Sequence, residues 1–436
     1  MKLIDWQSAS PDQRRAALAR PAADTRDEVF RQAASIVSAV RAEGDAAIRR
    51  FTRQFGGPEL QDLRVSRAEF TAARESLTVT QIAALERAVA NVSRFHEAQK
   101  SAPLAVETMP GVRCERITRP IDRVGLYVPA GSAPLPSTAI MLAVPARIAG
   151  CASPAIASSP GPDGRLHDAV LVAAELCGVD TVYKMGGAQA IAALAFGTET
   201  VSKVDKIFGP GSAWVTAAKQ IVAADPHGAA IDLPAGPSEV LVIADDSADA
   251  RFVAADLLAQ AEHDTIAQVV LVTPSQALAR SVSEEIAAQL VTLGRRDIVI
   301  QSMANSRCIL VEDLRSAVAV SNEYAPEHLI IQTHNPRALL EDVSCAGSVF
   351  LGAWSPESIG DYCSGTNHVL PTYGYARSYS GVSLVEYQKR ITVQELSADG
   401  LRVLGPTAVT LSEMEGLDAH GNAVKVRLEK LSRGAS

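Results

Sequence analysis

In residues 322–333, NEYAPEHLIIQT, a carboxylate and an imidazole stand side by side just ahead of an apolar run. Pro326 precedes Glu327 and His328, and Leu329, Ile330 and Ile331 follow them. Such a pair is either the polar end of a turn or a proton-handling device facing a cleft. An imidazole exchanges protons near neutral pH, and a neighbouring carboxylate can activate water. LLAQAEH sets Gln260 and His263 three residues apart, on one face of a helix. They could supply two metal ligands, or be ordinary helix-end residues. PESIGDYCSGTNHVLPTYGYA (356–376) is polar, glycine-rich and long for a connection between packed elements, which marks a functional loop. Asp361 and His368 are its metal or acid–base candidates, with a hydrogen-bonded structural role the plainer reading of His368. His420 in LDAHGNAV reads alone as a surface histidine, and His96, His167, His227 and His334 have no partner in view.

MGGAQA and FGPGSA each put glycines between a strand and a helix. Exposed N–H groups there can meet a phosphate, and a tight turn is the plain alternative. No GxGxxG or GxxxxGK[ST] occurs; FGPGSAW comes nearest, with Trp214 at the third glycine position. HExxH and cysteine-rich metal patterns are absent from the sequence.

The elements that must position these groups follow from periodicity. Up to about residue 100 apolar residues recur at helical spacing, as in RDEVFRQAASIVSAVRAEGDAAIRRF. From Val124 short β-type runs alternate with Ala-rich helical segments: VGLYVP, PAIASS, TVYKMG, DKIFGP, EVLVIAD, QVVLVT, RCILVE, HLIIQT and SVFLG. That alternation predicts βαβ units and mainly parallel sheets, with ligands outside the carboxyl ends of the strands. The strands exceed one compact sheet, so two α/β domains are expected, with DLPAGPSE (232–239) interrupting the rhythm. Beyond about residue 380, VEYQKRITVQELS and AVKVRLEKLS read as helices of a tail with little core of its own, suited to packing on a second subunit.

With 436 residues, 47 % hydrophobic and 21 % charged, the chain has the composition of a multidomain globular protein. A formal net charge of −8 argues against nucleic-acid or anionic-membrane partners. The N-terminus lacks the apolar stretch of a signal peptide, and the most apolar window, Ala139–Gly150, is short and carries Arg147. Six cysteines without a CxxC pair read as reduced thiols of a cytoplasmic protein.

Taken together, RVGLYVPAGSAPLPSTAIMLAVPARIAGC, VYKMGGAQAIAALAFGTE, KVDKIFGPGSAWVTAAK, IDLPAGPSEVLVIAD, DLLAQAEH, EYAPEHLIIQT, GSVFLGAWSPESIGDYCSGTNHVLPTYGYA and the tail from QKRITVQELS to LDAHGNAV occur in an order that resembles the histidinol dehydrogenases. The resemblance covers about residues 25–430. It implies two incomplete Rossmann-like domains with a mainly parallel sheet each, an N-terminal helical segment and a C-terminal helical tail. The corresponding boundaries are an arm over 1–24, a discontinuous α/β domain over 25–120 plus 238–376, a second over 121–237, and a dimer-forming tail over 377–436. It also implies an NAD-dependent four-electron oxidation of L-histidinol to L-histidine through the aldehyde, with one zinc per subunit.

By the same resemblance Gln260, His263, Asp361 and His420 would ligate zinc, His420 completing a neighbour's site in a homodimer. Ser238, His328 and Glu415 would touch substrate beside those ligands, and Tyr127, Gln189 and Ser212 would touch NAD. Ser212 stands where the family's GPG segment commonly continues with Asn. Its hydroxyl is shorter and offers one donor fewer, which puts that contact in question while the glycines remain. His328 would take the alcohol proton and Glu327 would activate the water that adds to the aldehyde. A related zinc and NAD dehydrogenase acting on a different small alcohol is the alternative. A zinc hydrolase or a non-catalytic dinucleotide sensor fits this combination of residues less well.

Overall fold

The computed structural model describes residues 1–21, 26–130, 133–234 and 236–433. The expected limit of the N-terminal arm, at residues 24 and 25, lies outside the described residues. The chain forms two compact units, Met1–Gln99 with Ile121–Tyr387, and Lys100–Pro120 with Gln388–Ser436.

In chain order, β1 (Lys2–Asp5) belongs to the first unit, and β2 (Leu104–Met109) and β3 (Val112–Pro120) to the second. The first unit resumes with β4 (Arg123–Val128), β5 (Ser153–Ser158), β6 (Thr181–Lys184), β7 (Lys206–Phe208) and β8 (Ala230–Ile231). It continues with β9 (Glu239–Ala244), β10 (Gln268–Thr273), β11 (Arg307–Leu310), β12 (His328–Gln332) and β13 (Ser348–Leu351). All nine apolar runs read from the sequence are strands. They make two parallel sheets, ordered β6-β5-β4-β7-β8 and β1-β11-β10-β9-β12-β13.

Continuous apolar runs have a physical cause here. Successive strand residues point to opposite faces, and both faces of the six-stranded sheet are covered. Val240, Val242, Val269, Leu271 and Ile330 enter one core. Leu241, Ile243, Val270, Val272, Leu329 and Ile331 enter the other.

The five-stranded sheet reverses its strand order beside β4, where β7 is the neighbour. Gly209, just past β7, has φ 121°, and a side chain there would overlap the Tyr127 carbonyl oxygen. Only glycine lets these strand ends approach. The loop is pinned from below by a buried ion pair. Lys219 Nζ reaches Asp232 and donates to Gly209 O at 2.9 Å, and Asp232 Oδ2 accepts from Gly209 N at 2.7 Å.

In the second unit, β14 (Gln388–Leu396) pairs antiparallel with β3, and β3 with β2. This corrects the helical reading of VEYQKRITVQELS. Ile391, Thr392 and Val393 are β-branched, and the nine residues of β14 find nine register partners from Val112 to Pro120. β2 and β3 were not expected, because Arg113, Glu115, Arg116 and Arg119 break up any apolar run. Helices Ala398–Met414 and Asp418–Arg433 follow and pack on each other. Among the described residues no helix is long and apolar enough to cross a membrane.

Because Ile330 is fully buried in β12, Ile330→Ala should lower the unfolding free energy by about 2–5 kcal/mol. Denaturant titration followed by circular dichroism measures this.

Candidate active site

Glu239 opens β9 and His328 opens β12, so the two lie next to each other at the amino ends of these parallel strands. The Glu239 backbone touches both members of the Glu–His pair. Its N–H donates to Glu327 Oε2 at 2.9 Å, and its carbonyl lies 3.2 Å from His328 Nδ1. A carbonyl can only accept, so Nδ1 carries a proton, which leaves Nε2 as the nitrogen that can exchange one. That Nε2 is buried and has no hydrogen-bond partner among the described residues; Asp361 Oδ1 is 3.5 Å from it.

The Glu239 side chain is 2 % exposed and bonded on every side. Arg20 grips it in a fork, Nε to Oε1 at 2.6 Å and Nη2 to Oε2 at 2.8 Å, and Tyr373 N donates to Oε1 at 2.6 Å. Arg20 also donates to Tyr324 O at 2.7 Å and lies over the Tyr324 ring, 4.1 Å from its centroid.

Helix Ala250–Ala261 ends at the same side and carries Gln260, with His263 just beyond it. The short helix Glu357–Tyr362 returns from β13 and brings Glu357 and Asp361, four residues apart. One ligand atom each from His263, Glu357 and Asp361 lies within 4.8 Å of the others. The Gln260 amide satisfies its neighbours when its nitrogen donates to Glu357 and its oxygen accepts from Glu239 N at 3.0 Å. Imidazole and carboxylates brought together in this way, with the Gln260 amide beside them, form a donor set that suits zinc.

Burial pushes the Glu327 carboxyl up to about 8, against the pull of His328 and the Glu239 N–H. Burial alone would lower His328, but the Glu357, Glu327 and Asp361 carboxylates outweigh it and hold the imidazole well above its usual range. An excess of acid around one imidazole is a further sign that the pocket is built for a cation, which would offset this upward push.

The expected site residues fall at opposite strand ends of the two sheets. At the carboxyl ends of β9 and β12, Asp245 N donates to Gln332 O at 3.3 Å and the Asp245 carboxylate accepts from His334 N at 3.0 Å, closing the crevice. In the five-stranded sheet, by contrast, Tyr127, Gln189 and Ser212 all lie toward the carboxyl ends. The Tyr127 hydroxyl accepts from Gly187 N at 3.0 Å, and Gly187 begins the helix that carries Gln189. Gln189 lines a cavity of about 310 Å³ with Gly186, Gly187, Phe55 and Pro160. Its buried Oε1 has no partner among the described residues. Ser212 is the exposed N-cap of helix Ala213–Ala224, and its hydroxyl makes no capping bond.

Ser238 directly precedes Glu239, and its carbonyl accepts from Gln268 N at 3.2 Å. His368 is half-buried, with a buried Nε2 that lacks a partner among the described residues. Glu415 and His420 belong to the second unit, where both are exposed. His96 and His167 are structural, bonded to Val92 O and to Ala169 N. Sequence reading missed Glu357, Glu239 and Arg20. Only Glu357 left a signal, an acid one helical turn before Asp361.

Residues 18–428 match the family described as histidinol dehydrogenase. The chain is 56 % identical over 433 residues to the histidinol dehydrogenase of Vibrio cholerae serotype O1, covering 99 % of this chain and 100 % of that one. It is 53 % identical to that of Salmonella typhimurium, covering 99 % of each. The crystal structure of histidinol dehydrogenase from Elizabethkingia anophelis matches with a TM-score of 0.93 at 44 % identity, covering 99 % of each chain. The chain belongs to the histidinol dehydrogenase family.

It is accordingly an oxidoreductase that oxidises histidinol, a small-molecule substrate, in histidine biosynthesis. A different alcohol is not favoured when relatives named histidinol dehydrogenase match over the whole length.

In this histidinol dehydrogenase family member the candidate site also has a buried acid nearby. Asp256, one turn before Gln260, meets Gln332 Nε2 at 2.7 Å, and burial pushes it up to about 7. Between its unfolded value near 4 and about 7, the folded state holds a proton that the unfolded chain has released. Stability therefore falls as pH rises through that window, by up to about 1.4 kcal/mol per pH unit, and levels off above it. Asp256→Asn should flatten this fall, as measured by urea midpoints at pH 4.5, 6 and 7.5.

Proposed function

We propose that the chain oxidises L-histidinol to L-histidine through L-histidinaldehyde, using NAD twice and one zinc per subunit. The observation that carries this reading is the backbone of one residue, Glu239, on whose N–H and carbonyl Glu327, His328 and Gln260 converge. Gln260, His263 and Asp361 would hold the zinc, with His420 of the partner subunit as fourth ligand. Bound zinc supplies an anchor for the substrate's imidazole and amino nitrogens, and bound NAD supplies the hydride acceptor for both oxidations.

The chain's own residues handle protons. His328 Nε2, the nitrogen left to exchange a proton because Nδ1–H is tied to Glu239 O, takes the hydroxyl proton in its neutral form as hydride leaves the alcohol carbon. Glu327 has one oxygen fixed by the Glu239 N–H, which leaves the other to take a proton from water adding to the aldehyde. The hydrate then has a hydride to give, and His328, having released its first proton to solvent, receives a hydroxyl proton again. Glu357 accepts the Gln260 N–H, and the Glu239 N–H donates to the amide oxygen, so the amide is held at the edge of this cluster.

Tyr127, Gln189 and Ser212 would contact NAD, and the unpartnered Gln189 oxygen beside a cavity supports that assignment. Ser238, Glu415 and the ligands would contact substrate. The exposed positions of Glu415 and His420 in the second unit suit a homodimer in which each tail completes the neighbouring site. The six free cysteines and the small-molecule chemistry fit the cytoplasm.

Glu327→Gln tests the division of labour. It should slow L-histidinaldehyde oxidation by about 10²-fold or more and alcohol oxidation far less. Each half-reaction is followed separately by NADH absorbance, and equal losses in both would reject the assignment.

A further inference from the structure

The fork between Arg20 and Glu239 has no part in the proton chemistry above, yet it fixes the backbone that chemistry stands on. Glu239 N–H holds Glu327 and the Gln260 oxygen, and Glu239 C=O holds His328. The Glu239 side chain shares one Cα with both of these backbone groups, so holding the carboxylate helps to hold them. The side chain is buried, and two of its hydrogen bonds come from one guanidinium. Arg20 is itself anchored, by Tyr324 O, Ala325 O and the Tyr324 ring. The segment around it is tied down as well: Gln268 Nε2 donates to Ala19 O at 3.1 Å, and the Tyr373 hydroxyl donates to Pro21 O.

We propose that Arg20 is a positioning residue for the Glu327–His328 pair, acting through Glu239. This rests on the reading of that pair as the proton-handling groups. A planar fork suits the task, because two parallel N–H···O bonds fix the carboxylate plane where a lysine makes a single point contact. Without it the backbone carrying both catalytic partners tilts, and a displacement near 1 Å at such a site costs on the order of 10²-fold in rate. The cofactor residues sit on the other sheet and keep their geometry.

The test uses the full-length, zinc-loaded enzyme with Arg20→Met, Arg20→Lys and, in parallel, His328→Asn. Arg20→Met should lower kcat for L-histidinol on the order of 10²-fold with KM for NAD unchanged, and Arg20→Lys should fall between it and the parent. If Arg20→Met does not fold, Arg20→Lys against the parent carries the same comparison. Parent-like kcat in both Arg20 variants, with His328→Asn inactive, overturns the proposal. So does a loss in which KM for NAD and kcat move together and Lys is no better than Met. An active His328→Asn overturns instead the reading beneath it.

Discussion

A carboxylate taken out of water is bonded on every side or it moves, and Glu239 is bonded on every side. Its side chain locks to Arg20 and to the Tyr373 N–H, and its backbone offers one donor and one acceptor to the groups that do chemistry. The direction of those two bonds decides which nitrogen of His328 can exchange a proton and which oxygen of Glu327 is free. Gln260 depends on the same N–H and on Glu357 for its amide orientation. Remove the fixed backbone and a base, a water activator and a ligand lose their alignment together.

The location of this cluster follows from the sheet. Parallel strands β9 and β12 are neighbours with His328 opposite Val240, so their first residues lie at one edge of the sheet, and helix Ala250–Ala261 ends on that same side. Both faces of the sheet are buried in apolar cores, which leaves the strand ends as the place for polar groups. One end is closed by Asp245, Gln332 and His334. The other end holds more acid than one imidazole balances, and such a pocket favours a cation.

Most of the fold was legible because its strands are buried on both faces, so that EVLVIA, QVVLVT and HLIIQ read as unbroken apolar runs. β2, β3 and β14 were hidden by the opposite circumstance: they are part-exposed and interleaved with charge, and β14 pairs with residues far away in sequence. Glu327, His328, Gln260, His263 and Asp361 could be singled out because their residue types suit the chemistry by themselves. Glu239 and Arg20 could not, since they act through contacts spanning 219 residues and a backbone group. An acid at the start of a strand and an arginine in an N-terminal helix's wake have no pattern of their own.

The most direct test of the four-electron account is the number of NADH formed per L-histidinol consumed, measured with zinc present, after complete chelation, and after zinc is restored. Two NADH per substrate, lost on chelation and recovered with zinc, is the predicted result. One NADH per substrate, with free aldehyde accumulating, or an undiminished yield from metal-free protein, would contradict it.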